Sequence, residues 1–140
     1  PRAWMRGSLD FSFSGLKTAL LNKAKESGIY PPTAGAVADP DQIREMASAF
    51  QVSVADVITT KTIKAANLCD AKGILLGGGV AANTLLRSVL MERSTIPVFI
   101  PSPKLCTDNG AMIASCAYFK IQHGCNSDWN LDIYPNLQLG

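Results

Sequence analysis

Three short stretches carry side chains that could do chemistry. Leu76 runs into Gly77-Gly78-Gly79-Val80. Glycines there let a backbone approach a ligand closely, and the amides opening the next helix favour an anionic or strongly polar group. The run lacks the lysine and spacing of a P-loop and is no dinucleotide fingerprint; a tight strand-to-helix turn accounts for it equally well. Asn83 follows one turn into the helix. Its amide suits a ligand hydroxyl or base edge, or simply an exposed polar face. Asp108 stands at the start of a later helix, where an aspartate caps free amides and complements the dipole. As a hard oxygen donor it is also a candidate metal ligand, or a group that positions a hydroxylated substrate. A lone carboxylate does not hold a transition metal. The only histidine, His123, falls at the far end of the same helix, ~22 Å away at 1.5 Å per residue, so the two cannot share one ion.

Ser14-Gly15 closes one segment and opens a helix, a geometry that suits a phosphate or a plain serine cap. There is no GxSxG elbow and no HExxH, and a Ser-His hydrolase would have only His123 to draw on. Cys69, Cys106, Cys116 and Cys125 include no CxxC pair. They read as reduced thiols packed as small apolar residues, Cys116 above all, rather than as nucleophiles or a disulfide framework.

Hydrophobic periodicity sets the elements that position these groups. Residues 8–14 alternate as a strand does, with Leu9, Phe11 and Phe13 on one face. Residues 15–27 form an amphipathic helix stopped by Gly28, and Tyr30 to Ala38 is a loop. Asp39-Pro40 starts a long helical stretch to Leu68 that a bend could divide in two. Gly73–Leu76 and Pro97–Ile100 are continuously apolar, the mark of strands buried on both faces, and a helix ending near Arg93 joins them. A further helix from Thr107 or Asp108 to about Gln122 is apolar nearly all round, so burial is expected. Asn126–Gly140 is expected to pack as an extended tail. The fold class is α/β, with a mainly parallel sheet covered on both faces by helices. In such sheets ligands lie outside the carboxyl ends of strands, where the triple glycine and the CTDNG segment both fall.

Composition bounds the rest. With 140 residues and 47% hydrophobic content, residues 1–140 hold one core and read as a single domain. Thirteen basic residues against eleven acids, scattered along the chain, leave no electrostatic footprint for nucleic acid. No apolar stretch approaches the roughly 20 residues of a membrane span, so a soluble chain is expected, and the unpaired cysteines favour the cytoplasm. The chain opens at Pro1 and its first ordered segment begins almost at once, which suggests a piece of a larger protein.

The runs DFSFSGLKTA at Asp10–Ala19, GGVAAN at Gly78–Asn83 followed by Leu85-Leu86-Arg87, and CTDNGAMIA at Cys106–Ala114 together resemble a known family. In wording and order they are similar to the C-terminal part of the tRNA N6-adenosine threonylcarbamoyltransferases, bacterial branch, formerly described as O-sialoglycoprotein endopeptidases. The resemblance implies an actin/hexokinase/Hsp70-type fold of two α/β lobes around a cleft, with this chain as the C-terminal lobe and the N-terminal lobe absent. It implies transfer of a threonylcarbamoyl group from threonylcarbamoyl-AMP to N6 of adenosine 37 in tRNAs that read codons beginning with A. By the same resemblance Asp108 ligates an iron or zinc ion, one per full-length subunit. Asn83, Gly78 and Gly79 contact the adenylate, and Ser14 and Gly15 lie near the cleft. The family's HxxxH pair and a further glycine-rich loop are not in this chain, so the metal site is expected to be incomplete and the chain inactive by itself. Implied partners are tRNA, a paralogous subunit of the same fold and an ATPase subunit, met mostly through the absent lobe. The alternatives are an ATP- or sugar-binding relative of the fold that does not act on RNA, a kinase or assembly partner, and the older endopeptidase reading, for which no catalytic dyad is present.

Overall fold

Five α-helices and a small parallel sheet make up the computed structural model, which describes residues 2–31, 39–130, 132–134 and 136. Helix α1 spans Ser14–Glu26 and ends at Ser27, followed by Gly28 at φ +69°, a conformation that costs glycine little. The expected loop from Tyr30 to Ala38 lies mostly outside the described residues. Helix α2, Pro40–Leu68, starts as its sequence dictates, with the Asp39 carboxylate accepting from the Asp41 amide at 2.9 Å and Pro40 in the first turn. It is one uninterrupted helix of 29 residues.

Strand β1, Ile74–Leu75, pairs in parallel with β2, Val98–Phe99, in the register Ile74↔Val98 and Leu75↔Phe99. Gly73 permits that approach, because a Cβ there would stand 3.0 Å from the Phe99 ring and 3.3 Å from the Pro97 carbonyl. A one-turn 3-10 helix at Gly79–Ala82 and helix α3, Thr84–Arg93, form the right-sized crossover between the strands. Helix α3 packs along α2, burying Leu86 and Leu90 on one side and Ala55 and Val57 on the other. The short helix α4, Pro103–Cys106, packs against the 3-10 turn. Helix α5 follows at Gly110–Gln122.

Five expectations are corrected. Residues 8–14 form no strand. A strand needs a ladder partner, and here Ser8 and Asp10 turn the chain locally through their own side chains, the Asp10 amide donating to Ser8 Oγ at 2.9 Å. The alternation survives only in the stacking of Phe11 on Phe13, centroids 6.1 Å apart. The two strands are not covered on both faces: Ile74 is buried, whereas Leu75 is 85% and Phe99 59% exposed. Helix α5 is exposed along its whole length, with none of its residues buried, so its apolar surface meets no partner among the described residues. Of the expected tail, the described residues Trp129, Ile133 and Tyr134 are all exposed, so they do not pack. Cys106 is buried as a small apolar residue, but Cys116, with Cys69 and Cys125, is exposed; all four thiols are free.

Candidate functional site at the strand ends

Because β1 and β2 run parallel, their carboxyl ends open on the same edge of the sheet. From β1 the chain enters Gly77-Gly78-Gly79. Gly78 adopts φ +87°, a region that would strain a side chain. A Cβ at Gly77, Gly78 or Gly79 would meet nothing within 4 Å, so the backbone of the turn stands open. The amides of Gly77 and Gly78 have no backbone acceptor among the described residues, leaving donors for an anionic group at the sheet edge.

Asn83 lies at the end of the glycine turn, not one turn into a helix. It is the N-cap of α3: its Oδ1 accepts from the Leu86 amide at 3.0 Å, and its Nδ2 donates to Gln51 Oε1 of α2 at 3.1 Å. The side chain thus already orients the helix behind the turn. An asparagine ahead of Thr84 and the apolar run of α3 is the sequence signal for this cap; starting the helix at the glycines conceals it.

From β2 the chain passes through Pro101-Ser102 into α4 and reaches Asp108. The helix cap expected of Asp108 is supplied by its neighbour, since Asn109 Oδ1 accepts from the Met112 amide at 2.9 Å. The Asn109 Nδ2 donates back to the Thr107 carbonyl at 2.8 Å. With the cap filled by Asn109, the exposed Asp108 carboxylate enters no hydrogen bond or ion pair among the described residues. The residues present do not fit a metal on their own. No three His, Cys, Asp or Glu side chains gather anywhere among the described residues, and one carboxylate does not hold a transition ion. His123 closes the far end of α5.

Ser14 and Gly15 open α1, but the N-cap is Phe13 and no side chain caps the helix, so the serine cap is not observed. Both residues line a hollow of about 350 Å³ with Arg2, Ala3, Trp4, Met5, Ser12 and Leu16. The segment before them is held by buried Lys61 of α2, whose ammonium donates to the Asp10 carbonyl and lies 5.5 Å from the centre of the Phe11 ring. Sequence reading missed Lys61, because a lysine at a helical position reads as solvated; its only signal is the apolar surroundings of the helix.

Residues 1–115 match the family model described as tRNA N6-adenosine threonylcarbamoyltransferase. The chain belongs to this family. Curated relatives carrying that name include one from Dehalococcoides mccartyi, 48% identical over 99% of this chain and 39% of its own length. One from Thermomicrobium roseum is 44% identical over 99% of this chain and 41% of its own length. One from Moorella thermoacetica is 43% identical over 99% and 40%. The chain therefore spans about two fifths of the length of the relatives it matches. The family match takes in the glycine turn, Asn83 and Asp108, and these names lend no support to the kinase or endopeptidase alternatives. Among the described residues no helix is long and apolar enough to cross a membrane.

Proposed function

We propose that this chain is the C-terminal lobe, a single unit of an actin/hexokinase/Hsp70-like fold, of an enzyme that transfers a threonylcarbamoyl group from threonylcarbamoyl-AMP to N6 of adenosine 37 in tRNAs reading ANN codons. The observation that carries this reading is the family match across residues 1–115, which includes two open loops at the carboxyl ends of adjacent parallel strands. That edge is where α/β sheets receive ligands. In the reaction the adenine amine attacks the carbamoyl carbon. A C–N bond forms, the bond to the phosphate oxygen breaks, the amine gives up one proton to water, and AMP leaves as an anion. The unfilled amides of Gly77 and Gly78 suit that adenylate phosphate, with Gly79 keeping the turn open and Asn83 fixing its exit. Ser14 and Gly15 are the second contact of this chain with the nucleotide.

Asp108 is the one ligand this chain offers to an iron or zinc ion, whose other ligands would come from residues outside it. The tRNA, a paralogous subunit of the same fold and an ATPase subunit are the partners we assign to the complete enzyme, in the cytoplasm. The isolated chain lacks transfer activity. The test is transfer itself. A full-length family member carrying this segment, given threonylcarbamoyl-AMP and an ANN-decoding tRNA, yields threonylcarbamoyladenosine in the digested tRNA by mass spectrometry. Gly78→Val, which forces a β-branched residue to φ +87°, reduces the yield. Unmodified tRNA from the folded parent enzyme would overturn the reading.

A further inference from the structure

Arg87 belongs to the GGVAAN…LLR run, yet none of the roles above uses it. It sits in the first turn of α3, its backbone amide bonded to the Asn83 carbonyl at 3.1 Å. Its side chain leaves the helix and touches both strand-end loops. Nη1 donates to the Ala81 carbonyl at 3.0 Å, in the 3-10 turn that follows the glycines. Nη2 donates to the Pro101 carbonyl at 2.7 Å, at the exit of β2. Nη1 also lies 3.6 Å from the buried Cys106 Sγ, and that thiol in turn donates to the Pro101 and Ser102 carbonyls at 3.7 and 3.5 Å. No carboxylate pairs with the guanidinium among the described residues. Its charge is met by carbonyl dipoles of two loops that are 20 residues apart in sequence.

We infer that Arg87 is a positioning residue that locks the glycine turn to the loop leading into Asp108, so that the two halves of the strand-end site keep a fixed spacing. A planar guanidinium with donors on two separate nitrogens can span two carbonyls at once in fixed geometry. A lysine ammonium has the charge but lacks the fork, and from one point it cannot hold both loops. Cys106 hydrogen-bonds to carbonyls of the second loop, closing α4 against Pro101 and Ser102, so among the described residues Arg87 is the side chain that hydrogen-bonds to both loops. The inference rests on the reading of these loops as one adenylate site, and the experiment separates the two.

Hydrogen exchange is followed residue by residue on the ¹⁵N-labelled 140-residue chain and its Arg87→Lys variant, with Arg87→Met as a second variant and Val57 amide protection as the check on folding. Faster exchange and shifted resonances at both 77–82 and 102–110, with α2 unchanged, are expected from either variant. AMP added to the parent chain shifts amides of both loops; added to Arg87→Lys it shifts those of 77–83 alone. Unaltered exchange in either loop would overturn the clamp. In a full-length family member the same lysine substitution is expected to lower transfer roughly 10- to 100-fold, the usual cost of losing a group that orients a site from behind. Loops loosened by the substitution, together with full transfer activity in the variant, would remove these loops from the reaction while leaving the clamp standing.

Discussion

Asn83 performs two tasks that substitution can separate. Its Oδ1 caps α3 through the Leu86 amide, and its Nδ2 reaches Gln51. Aspartate caps a helix as well as asparagine does, whereas alanine costs about 1 kcal/mol at such a site. Asn83→Ala is therefore expected to lower the melting temperature, and Asn83→Asp to leave it close to that of the parent. Their effects on nucleotide binding should run the other way in severity. Aspartate removes the amide donor and places a negative charge beside the glycine turn, so AMP affinity measured by calorimetry falls more in Asn83→Asp than the small change in stability would suggest. Equal AMP affinity in Asn83→Asp and the parent would take Asn83 out of the site. The same residue shows what sequence leaves unread. That Gly78, Asn83 and Asp108 fall at the strand ends was legible from the strand pattern, but what each side chain bonds to was not. A cap depends on where the first helical amide falls, and that is fixed one or two residues from where periodicity alone starts the helix. Asn109, not Asp108, caps α5 for this reason, and the Asp108 carboxylate takes no part in the cap.

Among the elements, the boundaries written in local chemistry were legible and those that need a distant partner were not. Asp39-Pro40 starts α2, Gly28 stops α1 and the apolar runs at Ile74 and Val98 pair in parallel, each from signals within a few residues. The stretch 8–14 alternates like a strand but has no neighbour to pair with among the described residues. Ser8 and Asp10 turn it locally, and Lys61, 51 residues away, ties it to α2 through the Asp10 carbonyl, a contact that no local spacing records. Asp56 is a second long-range tie. Its carboxylate pairs with Arg93 at 2.7 Å and Arg2 at 2.9 Å, joining α3 and the amino-terminal segment to α2. Hydrogen bonds first from Arg93 and then from Arg2, assisted by their charges and opposed by partial burial, hold this carboxyl below the ordinary 3.8. The folded value lies below the unfolded one, so the stabilisation is fully present above about pH 4 and is lost as the pH falls through the folded value. The pairs are partly exposed, so the effect is small, about 0.2–1 kcal/mol each. Between neutral pH and pH 3 the melting temperature of the parent should fall more than that of Asp56→Asn, which starts lower. Parallel acid profiles for the two chains would show that Asp56 contributes nothing to the pH dependence.

At the scale of the whole molecule, the surface is more apolar than the architecture can hide. The sequence reads α5 as apolar nearly all round, and the inference that it is buried fails because burial belongs to the neighbours, not to the helix. Met112, Ile113, Tyr118, Phe119 and Ile121 are exposed around it, and Leu75 and Phe99 are exposed on the open face of the sheet. A two-stranded sheet with one bare face is itself a marginal unit. Relatives of this family are about two and a half times longer than the chain, so the same helix and sheet belong to a larger apolar ledger in them. Alone in water, contiguous apolar area on this scale drives association. The 140-residue chain is therefore expected to bind an environment-sensitive apolar dye in its folded state and to gain mass with concentration in sedimentation. Phe119→Glu with Ile113→Glu should reduce both, without lowering the melting temperature, because neither side chain is part of the core. A parent chain that stays monomeric and dye-free at high concentration would mean that α5 is covered in solution by residues of its own chain, with the open sheet face at Leu75 and Phe99 the surface able to receive it.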